Sequence, residues 1–103
     1  MDEPVTTRLA SLTGTLIHYR PGTRFRGAVE LESRDDCVYS TWRIEAEDGE
    51  FLGSVSRPVS LRTIPPDSDP FEFALAHTLE GIRRYRFGRV RPFQIETCEW
   101  SRT

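Results

Sequence analysis

The segment from Asp69 to Gly88 constrains the fold most, because it predicts one long helix. Asp69 can cap the N-terminus, Pro70 suits the first helical position, and Gly88 can end the helix in a left-handed conformation. At about 100° per residue, one face of this helix carries Phe71, Ala74, Leu75, Thr78, Leu79, Ile82 and Tyr85. A helix with one apolar face must bury it against another layer, so we expect a sheet across it.

Two alternating segments predict an antiparallel hairpin ahead of the helix. Residues 24–32 and 37–47 place apolar side chains at every second position, which is the period of a half-buried strand. A four-residue turn at 33–36 would bring the two apolar faces onto the same side of the sheet. In that register Gly27 pairs with Trp42, whose ring would cover the glycine backbone.

A second hairpin is predicted at Asp48–Gly49, the strongest short turn signal in the chain. With a two-residue loop, Ala46 faces Phe51 and Trp42 faces Val55, so apolar side chains again meet. The two turns agree on one apolar face. They therefore predict a three-stranded meander.

The remaining segments complete an α+β fold. Residues 13–19 read as a strand, although a short helix over 4–14 competes with it. Pro58 predicts a bulge or a sheet edge, and residues 59–64 can form a further strand. Residues 92–100 read as a final strand after the helix. We therefore predict a largely antiparallel sheet of about five strands packed on one long helix, followed by a C-terminal strand.

The chain of 103 residues, 1–103, has the length of a single domain. It lacks any apolar run approaching the roughly 18 residues of a membrane span, so no membrane partner is expected. Its acidic start, MDEP, is unlike a secretory signal, which predicts a cytoplasmic protein. All 14 basic residues are arginine, as GC-rich codon usage in a bacterium would produce. The absence of lysine excludes Schiff-base chemistry and a phosphate-loop lysine.

Catalytic and metal-binding motifs are not found in this sequence. Cys37 and Cys98 form no CxxC pair, and with His18 and His77 they show no ligand spacing, so neither metal nor cofactor is expected. GxSxG, HExxH and GxGxxG are also absent. This pattern favours a protein that is not an enzyme, although it leaves catalysis open.

Five arginines follow one another near the end of the helix and interleave with Tyr85 and Phe87; they are Arg83, Arg84, Arg86, Arg89 and Arg91. Residues 1–82 carry a net charge of −6, and residues 83–103 carry +4. Arginines among aromatics are typical of nucleic-acid surfaces. Cations at a helix C-terminus are also expected from the helix dipole alone, and the rest of the chain is acidic, so a nucleic-acid partner is disfavoured.

An aromatic residue on the outward face of the helix predicts an interaction surface. Phe73 falls opposite the apolar stripe, beside His77 and Arg84. Phe87 and Trp100 could join it in one apolar patch that binds a protein partner or a second copy of the chain. A homodimer is the preferred interpretation, and cover by the chain's own tail is the alternative.

A pocket between the helix and the sheet is the second functional hypothesis. It would be lined by Trp42 with Tyr39 or His18, the last on a face that depends on the length of the turn at 20–23. Three functions follow in order of preference. The first is a non-enzymatic binding module that self-associates, the second a small-ligand-binding protein or enzyme, and the third a nucleic-acid binder through residues 83–91.

Overall fold

The computed structural model describes residues 5–101, which form a five-stranded antiparallel sheet with one helix across one face. The elements are β1 (Thr6–Leu16), β2 (Arg24–Arg34), β3 (Cys37–Ala46), β4 (Phe51–Ser60), a 3₁₀ turn (Leu61–Thr63), α1 (Pro70–Arg84) and β5 (Phe93–Trp100). The strand order is β4-β3-β2-β1-β5. The predicted α+β fold is therefore confirmed, with the C-terminal strand beside β1.

The helix begins where the sequence predicts but ends earlier. Asp69 accepts hydrogen bonds from two amides of the first turn at 2.8 and 3.2 Å. The helix ends at Arg84, because Tyr85 turns to an extended conformation with ψ 136°. Gly88 is left-handed, at φ 67°, but it serves a separate turn in which Phe87 and Val90 pair. The prediction that Gly88 ends the helix is thus wrong.

The competing helix over residues 4–14 is not formed, since β1 already begins at Thr6. β1 lies between β2 and β5 and pairs with both, so its backbone groups are satisfied on two sides. Leu12 and Leu16 are buried towards α1, whereas Leu9 points to the other face and is exposed. The predictions for residues 1–4 lie outside the described residues.

The hairpin between β2 and β3 keeps the predicted faces but not the predicted register. Its turn has only two residues, Asp35–Asp36, and Asp35 adopts the left-handed conformation that tight hairpins require. Gly27 consequently pairs with Ile44, and Trp42 pairs with Val29. A shift of two residues leaves every side chain on its face, which explains why alternation alone did not detect it.

The hairpin between β3 and β4 confirms one predicted pair and overturns the other. Trp42 lies opposite Val55, as predicted. A β-bulge near the start of β4 then inserts one residue, so Ala46 does not pair with Phe51. Leu52 is buried in place of Phe51, which is 53% exposed on the opposite face of the sheet.

β4 forms one edge of the sheet, in agreement with the prediction at Pro58. The ladder runs through Pro58 to Ser60, and the separate strand predicted over 59–64 is not formed. A 3₁₀ turn replaces it, because the Ser60 hydroxyl accepts a hydrogen bond from the Arg62 amide and redirects the chain.

The core lies between α1 and the sheet, and α1 packs over β3, β2 and β5. Trp42 and Ile82 both belong to this buried cluster, as their central positions on the apolar faces predict. On the helix side of β4, Leu52 and Val59 are buried, whereas Arg57 between Val55 and Val59 is exposed. Within residues 5–101, no helix has the length and apolar character needed to cross a membrane.

Candidate functional site

A cleft of about 550 Å³ opens between α1 and the uncovered part of β3 and β4. Pockets that bind small molecules in proteins commonly have this volume. The strand ladder determines which side chains enter it. On β4, Val55, Arg57 and Val59 point to the helix side. Their partners on β3 are Trp42, Ser40 and Val38, in that order. Arg57 is exposed and Val55 half-buried, so this row forms one wall of an open site.

The floor of the cleft is aromatic and closely packed. Trp42 is only 4% exposed and meets Tyr85 edge to face, with ring centroids 5.1 Å apart. Tyr85 also stacks with Phe93 at 5.8 Å. Gly53 supplies the necessary space, because a Cβ there would lie 3.1 Å from Trp42 and 3.2 Å from Tyr85. The floor is therefore held in position by the core.

A pair of buried hydroxyls lies beside this aromatic floor. Ser40 and Thr78 are 4% and 7% exposed, and their side-chain oxygens are hydrogen-bonded to each other. The Thr78 hydroxyl also donates to the carbonyl of Ala74 at 2.7 Å. Polar atoms inside a core need such partners, and these bonds connect the helix to β3.

The wall and rim of the cleft are predominantly cationic. Arg57, Arg84 and Arg86 line it together with one acidic residue, Glu80, and with His77. Glu80 lies 3.8 Å from the Arg84 guanidinium. Among residues 5–101, neither Arg57 nor Arg86 forms an ion pair with an acidic side chain. The excess of positive charge would attract an anion.

The flank of α1 that faces the cleft carries a glycine inside the helix. A Cβ built on Gly81 would meet no atom within 4 Å, so nothing in the described part of the chain requires a glycine there. Glycine in a helix interior costs about 0.5–1 kcal/mol relative to alanine. Because Gly81 has no side chain, the helix backbone is directly accessible at this point of the cleft.

Of the pocket residues predicted from the sequence, the cleft contains Trp42 but not the other two. Tyr39 lies on the opposite face of the sheet, where the Arg34 guanidinium is 4.3 Å from its ring centre. His18 is not in a strand, because β1 ends at Leu16 and His18 is exposed in the following turn with φ 64°. A two-residue period places Tyr39 and Trp42 on different faces, which separates them.

The predicted interaction surface is divided by the fold. Phe73 is half-buried against the core cluster. Trp100 lies at the start of α1, where its indole N–H donates to Glu72 at 2.7 Å. Phe87 lies beyond the other helix end and stacks on Tyr19 at 4.8 Å. A helix of 15 residues is about 22 Å long, so Phe87 and Trp100 do not join in one patch.

The arginine segment is also divided among different surroundings. Arg83 donates to Glu80 at 3.1 Å on the outer surface of the helix. Arg86 lines the cleft, whereas Arg89 and Arg91 are exposed in the turn before β5. His77 and Arg84, predicted for the interaction surface, line the cleft as well. The predicted preference against nucleic acid stays a prediction.

Sequence reasoning predicted only Trp42, His77, Arg84 and Arg86 among the residues that line the cleft. The polar residues and the glycine that it missed include Ser40, Arg57 and Gly81. Arg57 could have been recognised from the sequence, because it takes an apolar position in the alternating pattern of its strand, between Val55 and Val59. A charged residue at such an inward-facing position indicates either protection of a sheet edge or a binding site. Ser40 offered a weaker signal of the same kind on β3.

Other reactive groups lie apart from the cleft. Cys37 and Cys98 are free thiols, and burial raises the pKa of the Cys98 thiol. Within the described residues, no group of three or more histidine, cysteine, aspartate or glutamate side chains is arranged to hold a metal ion.

Comparison of the chain with protein-family models, with characterised proteins and with solved structures gives no match. The fold and the site together define an α+β domain with a cationic, aromatic-floored cleft between its helix and a sheet edge.

Proposed function

We propose that this protein is a ligand-binding domain that takes a small organic anion with an apolar body into the cleft between α1 and β4. The observation that carries the proposal is Arg57. It is an exposed arginine on the helix-side face of an edge strand, in the same cleft as Arg84 and Arg86. A side chain that only served solubility would be expected on the polar face of the sheet.

The chemistry of the lining favours an amphipathic anion. A guanidinium offers a fork of donors that matches the two oxygens of a carboxylate or phosphate. Trp42, Val55 and Tyr85 supply an apolar surface beside the arginines. Burying the apolar body there would contribute about 25 cal/mol for each Å² removed from water. Three arginines against one glutamate favour a ligand with one or two negative charges.

Binding is a better explanation of the cleft than catalysis. A serine nucleophile needs a base that removes its proton. The bonding partner of Ser40 is the hydroxyl of Thr78, which is not a base of that kind. The proposal therefore assigns no reaction to the cleft.

The proposal is tested by a panel of aromatic and aliphatic carboxylates and phosphate monoesters, each beside its neutral amide or alcohol. Binding is followed by amide NMR shifts and by the melting temperature, which a ligand of the folded state raises. We expect anions to bind and neutral analogues to bind at least several-fold more weakly. Arg57→Gln should weaken binding, because it removes charge while retaining most of the side-chain length.

The matched control is Arg43→Gln, because Arg43 is an exposed arginine on the other face of the neighbouring strand. Its replacement should leave anion affinity unchanged. Equal losses in both variants would mean that the arginines act only through net charge, and would overturn the proposed site. Failure of every anion to perturb cleft amides at concentrations up to about 20 mM would overturn the proposed function, because a dissociation constant above that value means binding weaker than about −2.3 kcal/mol.

A further inference from the structure

The direction of the hydrogen bonds at the base of the cleft can be derived from the partners. A carbonyl only accepts, so the single hydroxyl proton of Thr78 is donated to Ala74. Thr78 must then accept at its bond with Ser40, and Ser40 is the donor. The proton of the Ser40 hydroxyl is therefore donated to Thr78. The lone pairs of the Ser40 oxygen are not used in that hydrogen bond.

Ser40 is therefore an acceptor beside the cleft. Ser40 lines the cleft, and within the described residues no side chain donates to its oxygen. A serine hydroxyl has two acceptor lone pairs besides its proton, and its bond to Thr78 uses only the proton. A ligand that brings a donor to this point can therefore bond to Ser40.

We infer that the ligand of the cleft carries a hydroxyl or amino group on its apolar end, which donates a hydrogen bond to Ser40. This inference rests on the proposed function and specifies its ligand class. Ser40 and Arg57 are direct neighbours across the β3–β4 ladder. A single small molecule can therefore span from the hydroxyl to the guanidinium. The ligand class is a hydroxy- or amino-substituted organic acid.

Three probes that differ at one group test the inference: para-hydroxyphenylpropionate, phenylpropionate and para-methoxyphenylpropionate. The wild-type protein should bind the phenol about two- to tenfold more tightly than the unsubstituted acid, as expected for one hydrogen bond. The methoxy acid, which cannot donate, should have no such advantage. Ser40→Ala should abolish the preference for the phenol. Ser54→Ala, at an exposed serine on the outer face of β4, should retain it.

The variant Thr78→Val provides a second measurement, because it should change Ser40 from a hydrogen-bond acceptor of the ligand into a donor. Valine has nearly the shape of threonine but cannot accept, so the Ser40 proton is released and can be donated to a ligand. The methoxy acid should then gain affinity relative to the phenol. If the acids bind wild type but show no preference, or if the preference survives Ser40→Ala, the inference is overturned and the proposed function stands. If none of these three acids binds while other anions of the panel do, only the inference is overturned; if no anion of the panel binds, both are overturned.

Discussion

The loop between β1 and β2 holds two non-glycine residues in the left-handed conformation, His18 at φ 64° and Arg20 at φ 45°. This conformation costs roughly 1–2 kcal/mol for an ordinary residue. Arg20 is held by ion pairs with Asp48, at 2.9 Å, and with Glu50. These contacts fix the loop to the β3–β4 hairpin, and they explain why the conformation is maintained.

His18→Gly should therefore stabilise the protein. Glycine adopts φ 64° without strain, but it also loses more conformational entropy on folding. We expect the net free energy of unfolding to rise by about 0.5–1 kcal/mol. Urea denaturation measures the difference. Arg20→Gly is the matched control, because it relieves the same strain but removes the ion pairs and should not stabilise. A loss of stability in His18→Gly would contradict the interpretation and indicate a contact made by the imidazole.

The carboxylate of Asp48 should make stability depend on pH. The Glu50 amide and then the Arg20 guanidinium hold the pKa of Asp48 below its usual value near 3.8. Because the pKa is lower in the folded state, this contribution is present above the unfolded pKa and is lost as pH falls through the folded pKa. Between neutral pH and about pH 3, the free energy of unfolding measured by denaturation should fall less steeply in Asp48→Asn than in the wild-type protein. An identical fall would contradict this assignment.

At the scale of secondary structure, α1 contains an internal glycine that its own packing does not require. Gly81→Ala should stabilise the helix by about 0.5–1 kcal/mol, because alanine has the higher helix propensity. Gly81→Leu should also narrow the proposed cleft and weaken binding of the organic acids. Thermal unfolding and NMR titration measure the two effects.

Ala76→Gly is the control for Gly81, because Ala76 is exposed on the same helix and does not line the cleft. This variant should destabilise the protein by a similar amount without changing its affinity for the organic acids. If Gly81→Leu binds the acids as tightly as wild type does, the ligand does not lie along this flank.

The two edge strands are each protected against pairing with another sheet. β4 has a bulge and Pro58. β5 has a bulge opposite Thr13 and Gly14 of β1. Such features disfavour edge-to-edge association. Any self-association is therefore expected to use side-chain surfaces and not an extended sheet.

At the scale of the whole molecule, the core depends on contacts made from several elements to Trp42. This side chain meets Tyr85 beyond α1 and Phe93 of β5. Trp42→Ala should cost about 3–5 kcal/mol, as is typical of large core deletions. Chemical denaturation measures the loss. In Trp100→Phe, the remaining fluorescence should be blue-shifted and move to the red on unfolding. Emission that is already red-shifted in the folded protein would contradict the burial of Trp42.

The homodimer predicted from the sequence stays a prediction, and the structure changes how it should be tested. Phe73 packs on the core cluster, so a glutamate there would also destabilise the fold. Phe87 is 38% exposed and gives a cleaner probe. We expect wild type to sediment as a dimer at high micromolar concentration and Phe87→Glu as a folded monomer. Phe51→Glu, at an exposed phenylalanine on the outer sheet face, should remain dimeric. A monomeric wild type would contradict the prediction.

Local signals in the sequence determined which elements form and which faces they bury. The Asp69 cap, the Asp48–Gly49 turn and the two-residue alternation of β2 and β3 act over a few residues, so they can be recognised without the fold. The position of Trp42 in the core also follows from alternation. These signals predicted the α+β architecture.

Only the tertiary structure decided the register and the site. Alternation is unchanged by a shift of two residues, so it could not distinguish Val29 from Gly27 as the partner of Trp42. The bulge opposite Ile44 and Glu45 places Phe51 on the outer face of the sheet, and the alternation of the neighbouring strand does not reveal it. The cleft exists because α1 packs mainly over β3, β2 and β5 and leaves the part of β4 around Val55 and Arg57 incompletely covered. That lateral position is set by packing between residues far apart in the chain, and no local pattern encodes it.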